Sequence, residues 1–337
     1  MSTSKKYLSA FGILIFLIAV LSFFVSKTYE VHTDMELKAP ANFVFNALNN
    51  VNHQSEWNTK ATLDTTFKLI CSGTSVGAGV SCDYSGTLYG NGVLRILNSQ
   101  LNDSIILSDE QKSGKEIVFV YKLIAKDSIN TMVKVHGKST SGYIRNLWNF
   151  IHRWKLKKHI HQNLDNLKVF VNNRYKNKIY NGYQIKELTM NQRFFISYRS
   201  LVQIENIQQY YSQNISGLYQ KAIEQNLTIS GMPCGLFYTW DFDGGKVDMA
   251  AALPTLAEFN IMDTESVNIP SKPALMIEYK GESSKSAAAH YAMDEYMLDH
   301  RLEQLPPVIE EYLTDPAKEP DPAKWVTNII YYVIPKK

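Results

Sequence analysis

Apolar residues along this chain recur with two periods, and the places where the period changes divide it into elements. Val31 to Leu37 alternates apolar and polar positions, as a half-buried strand does. The run Ala39-Pro-Ala-Asn-Phe-Val-Phe-Asn-Ala-Leu48 then predicts a helix, with proline in the first turn, where its missing N–H costs no hydrogen bond. Strand-like runs follow at Phe67 to Cys71, Val80 to Leu88, Gly92 to Leu97, Ser104 to Ser108, Ile117 to Ala125 and Thr131 to His136, separated by turn residues. A long helix is predicted from about Ser141 to Asn173, because Ile144, Leu147, Trp148, Ile151, Ile160, Leu164, Leu167 and Val171 recur at helical spacing.

The second half carries one order of elements twice. An apolar run (Phe194 to Tyr198; Ala274 to Tyr279) precedes a helix (Gln203 to Gln225; Lys285 to Glu303), an extended segment and a further strand (Lys246 to Leu253; Trp325 to Ile334). The extended segments echo each other: Pro233-Cys-Gly-Leu-Phe-Tyr-Thr-Trp-Asp241 and Pro307-Val-Ile-Glu-Glu-Tyr-Leu-Thr-Asp315 keep Pro, Tyr and Asp at equal offsets. Two strand-helix-strand-strand units related by a pseudo-twofold axis are expected, with a groove between them. In that alignment Glu310 stands where the first copy has Leu236, and Tyr312 where it has Tyr238. These four residues are the candidate ligand-binding set.

Composition narrows the function classes. A chain of 337 residues with 45% hydrophobic content suits two globular domains, and a net charge of +3 is too small to imply nucleic acid as the main partner. Tyr7 to Ser26 holds twenty residues without a charge, enough to cross a bilayer core of about 30 Å as a helix. Lys5 and Lys6 before it favour a cytoplasmic N-terminus and domains in the periplasm or outside the cell. A single-pass membrane protein is therefore expected. The rival is a cleavable signal peptide, whose small-x-small site is not matched by Ser22-Phe-Phe-Val-Ser26.

Other motifs read plainly. Cys71, Cys82 and Cys234 lack metal-ligand spacing and are taken as three buried thiols, with a Cys71–Cys82 cross-strand disulfide as the alternative. Gly73-Thr-Ser-Val-Gly77 matches a serine-hydrolase pattern, but a strand rather than a helix is predicted after it, so a glycine-rich turn is expected. Arg145 to His161 is basic, with no acidic residue. It is read as a solvated helix face whose tryptophans pack on the sheet, with anionic lipid as the alternative partner.

In the first half, Ala39-Pro40 with Val44-Phe45, then Glu56-Trp57-Asn58, Val76-Gly-Ala-Gly79 and Leu164-Asp-Asn-Leu-Lys168 occur in an order that resembles the polyketide-cyclase/START-like superfamily. That resemblance implies a helix-grip fold around a cavity for apolar ligands. The chain departs from the family at Asn58-Thr-Lys60, where Ser-Pro-Trp is usual, and at Cys82, where an aromatic is frequent. In the second half, Ile309-Glu-Glu-Tyr-Leu-Thr-Asp-Pro316, Glu319-Pro-Asp-Pro322, Trp325-Val-Thr-Asn-Ile329, Pro233-Cys-Gly235 and Val247-Asp248 resemble the gyrase-inhibitor-like domain, also found as the effector-binding domain of bacterial multidrug-responsive regulators. The resemblance implies that Glu310 is an acidic pocket residue.

The expected architecture is thus α+β: a membrane anchor over 1–27, a helix-grip domain over 28–175, a linker over 176–182, and a duplicated βαββ domain over 183–337. The expected function is binding of small, partly apolar molecules: a lipophilic ligand in the first domain, and a cationic or aromatic one in the second. No catalytic residue, metal or organic cofactor is assigned, and no nucleic-acid partner is expected. The alternatives are a hydrolase of reactive small molecules in the C-terminal pocket and a membrane-docked interaction protein.

Overall fold

The computed structural model describes Val20, residues 26–140 and residues 148–336. The chain forms two compact units, Met1–Lys176 and Asn177–Lys337.

In the first unit, β1 (Thr28–Leu37) leads to helix α1 (Ala41–Asn49) and the short helices α2 (Gln54–Trp57) and α3 (Thr59–Leu63). Strands β2 (Lys68–Cys71), β3 (Ser81–Ser85), β4 (Gly92–Gln100), β5 (Ser104–Gln111), β6 (Glu116–Ala125) and β7 (Thr131–Thr140) follow, then the long helix α4 (Asn149–Tyr175). All seven strands pair antiparallel in the order β1-β7-β6-β5-β4-β3-β2, so the first strand of the chain closes on the last of the meander. Alternation along β1 buries Tyr29, Val31 and Leu37 and turns Glu30, His32, Asp34 and Glu36 outward. Helix α4 lays Leu156, Ile160, Leu164, Leu167 and Val171 into the core, while Trp148 and Trp154 stay exposed rather than packing on the sheet.

One charged pair lies inside this core. The Lys60 ammonium sits 2.6 Å from an Asp109 carboxylate oxygen and donates at 2.6 Å to the Tyr84 hydroxyl, with Lys60 and Asp109 side chains only 3% exposed. Tyr84 in turn donates to Asp109 at 2.9 Å. Burial pushes the Lys60 ammonium below its usual range, which Asp109 opposes, and it drives the Tyr84 phenol upward. Lys60 thus brings an ionic group to a buried position. Close by, burial lowers the His159 imidazole to about 4, with Asp109 opposing the shift and Lys60 adding to it.

The Cys71–Cys82 pair corrects the reading of three thiols. These residues lie opposite each other in the β2–β3 register and are joined as a disulfide, leaving Cys234 as the buried free cysteine. Between those strands Gly73 and Gly77 both take positive φ, and Ser75 lies in an irregular loop that leads to a strand, not at a strand-to-helix elbow.

The second unit begins with a small hairpin, β8 (Ile179–Tyr180) and β9 (Tyr183–Gln184). Strands β10 (Lys186–Met190) and β11 (Arg193–Gln203), helix α5 (Ile207–Glu224), and strands β12 (Cys234–Asp241), β13 (Lys246–Thr255) and β14 (Glu265–Ile269) come next. Strand β15 (Lys272–Lys280), helix α6 (Ala287–His300), and strands β16 (Leu302–Tyr312) and β17 (Val326–Pro335) complete the unit. The sheet is continuous and antiparallel, in the order β10-β15-β17-β16-β12-β13-β11-β14. One face gathers Phe195, Cys234, Leu236, Ala250, Ile309, Ile330 and Tyr332 with residues of both edge strands, including Leu188, Met190 and Ile269. Edges that share one cluster curl the sheet into a half-barrel around it. Helices α5 and α6 cover the opposite face, where Leu218 and Ala222 pack on Ile196, Ala251 and Leu253, and where α6 meets β15 and β16.

These observations correct the expected fold class and location. The α+β arrangement with a membrane helix gives way to mainly antiparallel β structure, with six α-helices among the described residues. Strands outweigh the apolar runs that announced them, because pairing continues through polar outward positions and adds the short strands β10 and β14. Single-pass membrane localisation is likewise corrected: among the described residues no helix is long and apolar enough to cross a membrane. The stretch from Tyr7 to Ser26 lies, apart from Val20 and Ser26, outside the described residues.

Two stability measurements probe the buried charges. Asp109→Asn leaves the Lys60 ammonium buried without its counter-charge, and chemical denaturation is expected to show a loss of about 3–5 kcal/mol in the first unit. His159 has a folded-state value of about 4 against 6.5 for the unfolded chain, so only the unfolded state gains a proton between them. Stability is therefore expected to fall as pH drops through that window, by at most about 1.4 kcal/mol per pH unit, and His159→Gln should remove this component of the slope.

Candidate functional site

Strands β12 and β16 meet at the centre of the second sheet, and their register decides what each face carries. Gly235 pairs with Glu310, Leu236 with Ile309 and Cys234 with Glu311. Side chains alternate along β16, so Glu310 and Tyr312 face the helices while Ile309 and Glu311 face the half-barrel cluster. The two adjacent acids are thereby separated. Glu311 accepts from Arg193 at 2.9 Å and from the Asn328 amide at 3.1 Å.

On the helix face Glu310 is 6% exposed. Its Oε1 lies 3.1 Å from His290 Nε2 on α6, and its Oε2 accepts from the Tyr312 hydroxyl at 3.0 Å. His290 Nδ1 lies 2.9 Å from the Tyr331 hydroxyl of β17. A carboxylate only accepts, so one neutral tautomer satisfies the chain: Nε2–H donates to Glu310 and Tyr331 O–H donates to Nδ1. Burial first, and the Glu310 charge after it, hold the Tyr312 phenol well above its usual range. Burial followed by the Asp294 and Glu310 charges does the same to Tyr331. Both phenols therefore remain donors.

Aromatic rings surround the carboxylate. Tyr211 of α5 stands edge-on to Tyr312 at 4.8 Å between centroids, and its buried hydroxyl has no hydrogen-bond partner among the described residues. Beside them Phe237 stacks on Trp240 and Trp240 on Phe242, at 5.5 and 5.6 Å. Opposite Glu310 the strand carries no side chain. A Cβ on Gly235 would lie 2.8 Å from the Phe237 ring and 3.1 Å from the Tyr312 hydroxyl, so the ring and the phenol occupy the space that any other residue would fill.

Of the four residues singled out by the echo, the structure brings Glu310 and Tyr312 together. It places Leu236 and Tyr238 on the half-barrel face, where Leu236 is buried in the cluster and the Tyr238 ring lies 3.6 Å beneath the Arg199 guanidinium. Leu236 pairs with Ile309, and Gly235 with Glu310, so the echo that matched Leu236 to Glu310 is one residue out of step with the sheet, and a one-residue shift exchanges the faces. His290, Tyr331, Tyr211 and Phe237 were not singled out by sequence reasoning. His290 lies twenty residues from Glu310 with a helix-to-strand turn between them, a separation that no periodicity signals. Cys234 adds no chemistry, since burial pushes its thiol up to about 12.

No family model matches the chain, and no curated protein does. Among solved structures, the chain is similar to EcmrR bound to DNA, seen by cryo-electron microscopy, with 17% identity, 58% of this chain and 73% of that one covered, and a TM-score of 0.43. It is also similar to the crystallised C-terminal domain of EcmrR, with 19% identity, 45% and 98% covered, and a TM-score of 0.39. A crystal structure of a hydrolase from Listeria innocua is similar at 14% identity, with 44% and 91% covered and a TM-score of 0.34.

Gly235→Ala tests how tightly the rings close over the strand. The added methyl group must displace Phe237 or Tyr312, and denaturant unfolding is expected to show a loss of about 1–3 kcal/mol, the scale of overpacking a filled site.

Proposed function

We propose that the second unit binds small, partly apolar molecules that carry positive charge. Glu310 is the polar anchor, and Tyr312, Tyr211 and Phe237 form the walls. One observation supports this reading above the others: Glu310 is a nearly buried carboxylate on which no lysine or arginine closes among the described residues. A carboxylate offers about four lone-pair sites, and His290 and Tyr312 use two. A guest cation or N–H donor would take the rest, while ring faces favour a flat, positively charged body. The inner face of the first sheet is occupied by the α4 stripe and the Lys60–Asp109 pair, so the lipophilic guest expected there is not part of the proposal.

A second reading rests on the Tyr331–His290–Glu310 chain. An imidazole held between a phenol and a carboxylate suits general acid–base work on a guest, as a hydrolase would need.

One set of measurements addresses both. Planar aromatic cations and their neutral analogues are titrated calorimetrically into the protein, and the recovered compounds are analysed by mass spectrometry. Glu310→Gln keeps the size and removes the charge, so binding of the cations should weaken by about 1.5–3 kcal/mol and that of the neutral analogues by less. Glu303→Gln, at an exposed position of the same strand, should leave affinity unchanged. Cation binding that is indifferent to Glu310→Gln would overturn the anchor assignment. Return of intact compound marks a binder; conversion that drops about a hundredfold or more in His290→Gln marks the hydrolase.

A further inference from the structure

The outward face of the first sheet carries a cluster that neither the proposed ligand site nor the core uses. His32 and His136 lie directly opposite each other in the β1–β7 register, and Glu30 is two residues before His32 on the same face. The two imidazoles are stacked, with centroids 4.2 Å apart and planes 9° from parallel. His136 Nε2 lies 3.1 Å from a Glu30 carboxylate oxygen, and one donor atom from each of the three residues falls within 4.8 Å of the others. His32 makes no hydrogen bond among the described residues, so a ring nitrogen remains to be used. Beside the cluster runs a groove of about 350 Å³ bordered by Asp34, Val120, Lys122 and Lys134.

We propose that Glu30, His32 and His136 form a binding site for a divalent transition-metal ion, with Zn²⁺ as the best match to two imidazoles and a carboxylate. This donor set is of borderline hardness, which suits zinc, copper or nickel better than calcium or magnesium. Bond lengths of about 2.1 Å to a tetrahedral ion bring donors to about 3.4 Å from one another. His136 and Glu30 already stand close to that spacing, and the exposed ring of His32 has room to close the remainder. Three protein ligands leave a coordination position open, facing a groove with lysines at its border. Water or a small anion would complete the shell. The ion would also bridge β1 to β7, fastening the edge strand at the start of the described sheet. Lys138 competes for the same carboxylate, 3.3 Å from the second oxygen of Glu30.

The test uses the full chain, purified without a histidine tag and stripped with a chelator, and titrated with Zn²⁺ at neutral pH by calorimetry. One equivalent is expected to bind and to raise the midpoint of thermal unfolding. His32→Ala, His136→Ala and Glu30→Gln should each weaken Zn²⁺ binding by at least about tenfold, the lower end of what loss of even an outer-shell partner causes. Lys138→Met should strengthen it by freeing Glu30. All four positions are outside the core, so circular dichroism should report unchanged folding. Absence of one-equivalent binding by the unsubstituted protein would overturn the proposal, as would a Zn²⁺ affinity that the His32, His136 and Glu30 substitutions leave unaltered.

Discussion

A side chain on a strand faces one side of its sheet or the other, and along β16 that constraint governs the second unit. Glu310 and Glu311 are neighbours in sequence, yet one meets His290 beneath α6 and the other meets Arg193 on the half-barrel side. Neither partner is exchangeable. A slip of one residue would carry Glu311 under the helices and bury the Arg193 guanidinium with no carboxylate beside it, a cost of several kcal/mol. The Arg193–Glu311 pair therefore fixes the orientation of Glu310 without touching it. Gly235 completes the arrangement from the adjoining strand by leaving room for the Phe237 ring and the Tyr312 phenol beside the carboxylate.

Much of the local structure was legible because its signals are local. The alternation of Val31 to Leu37 marked β1, and the stripe through Ile160, Leu164, Leu167 and Val171 marked α4, since each period is printed in the residues themselves. What escaped depends on pairing between distant segments. The equal offsets of Pro, Tyr and Asp made Tyr238 look equivalent to Tyr312, but the sheet sets Gly235, not Leu236, opposite Glu310, so the echo is one residue out of step with the pairing and its matched residues face opposite sides. Strands β10 and β14 are short and lie at the sheet edges, so neither carries a long apolar run. His290 and Glu310 converge only once α6 has docked on the sheet, and Glu30, His32 and His136 only once β1 has paired with β7.

The two units treat buried charge in opposite ways. In the first, Lys60, Asp109 and Tyr84 satisfy one another: a cation, an anion and a phenol at hydrogen-bonding distance, all withdrawn from solvent. That set is complete and leaves nothing for a guest to supply. In the second, Glu310 is withdrawn to a similar degree but has only an imidazole and a phenol as donors. A closed set of this kind contributes to the specification of one fold, whereas an open one costs stability until something charged arrives. The contrast distinguishes the two buried groups more directly than any motif does.

The cross-link between Cys71 and Cys82 bears on how separate molecules behave toward one another. Strand β2 is four residues long, ends the seven-stranded sheet, and exposes Ile70 beside an unpaired backbone edge. Such an edge is a template onto which a second chain can add, and natural sheets protect against this with short, constrained strands. The disulfide holds β2 in register with β3 and keeps that edge from lengthening or peeling away. Reduction would thus act first on colloidal behaviour, favouring edge-to-edge association between molecules well before the core of the unit was disturbed.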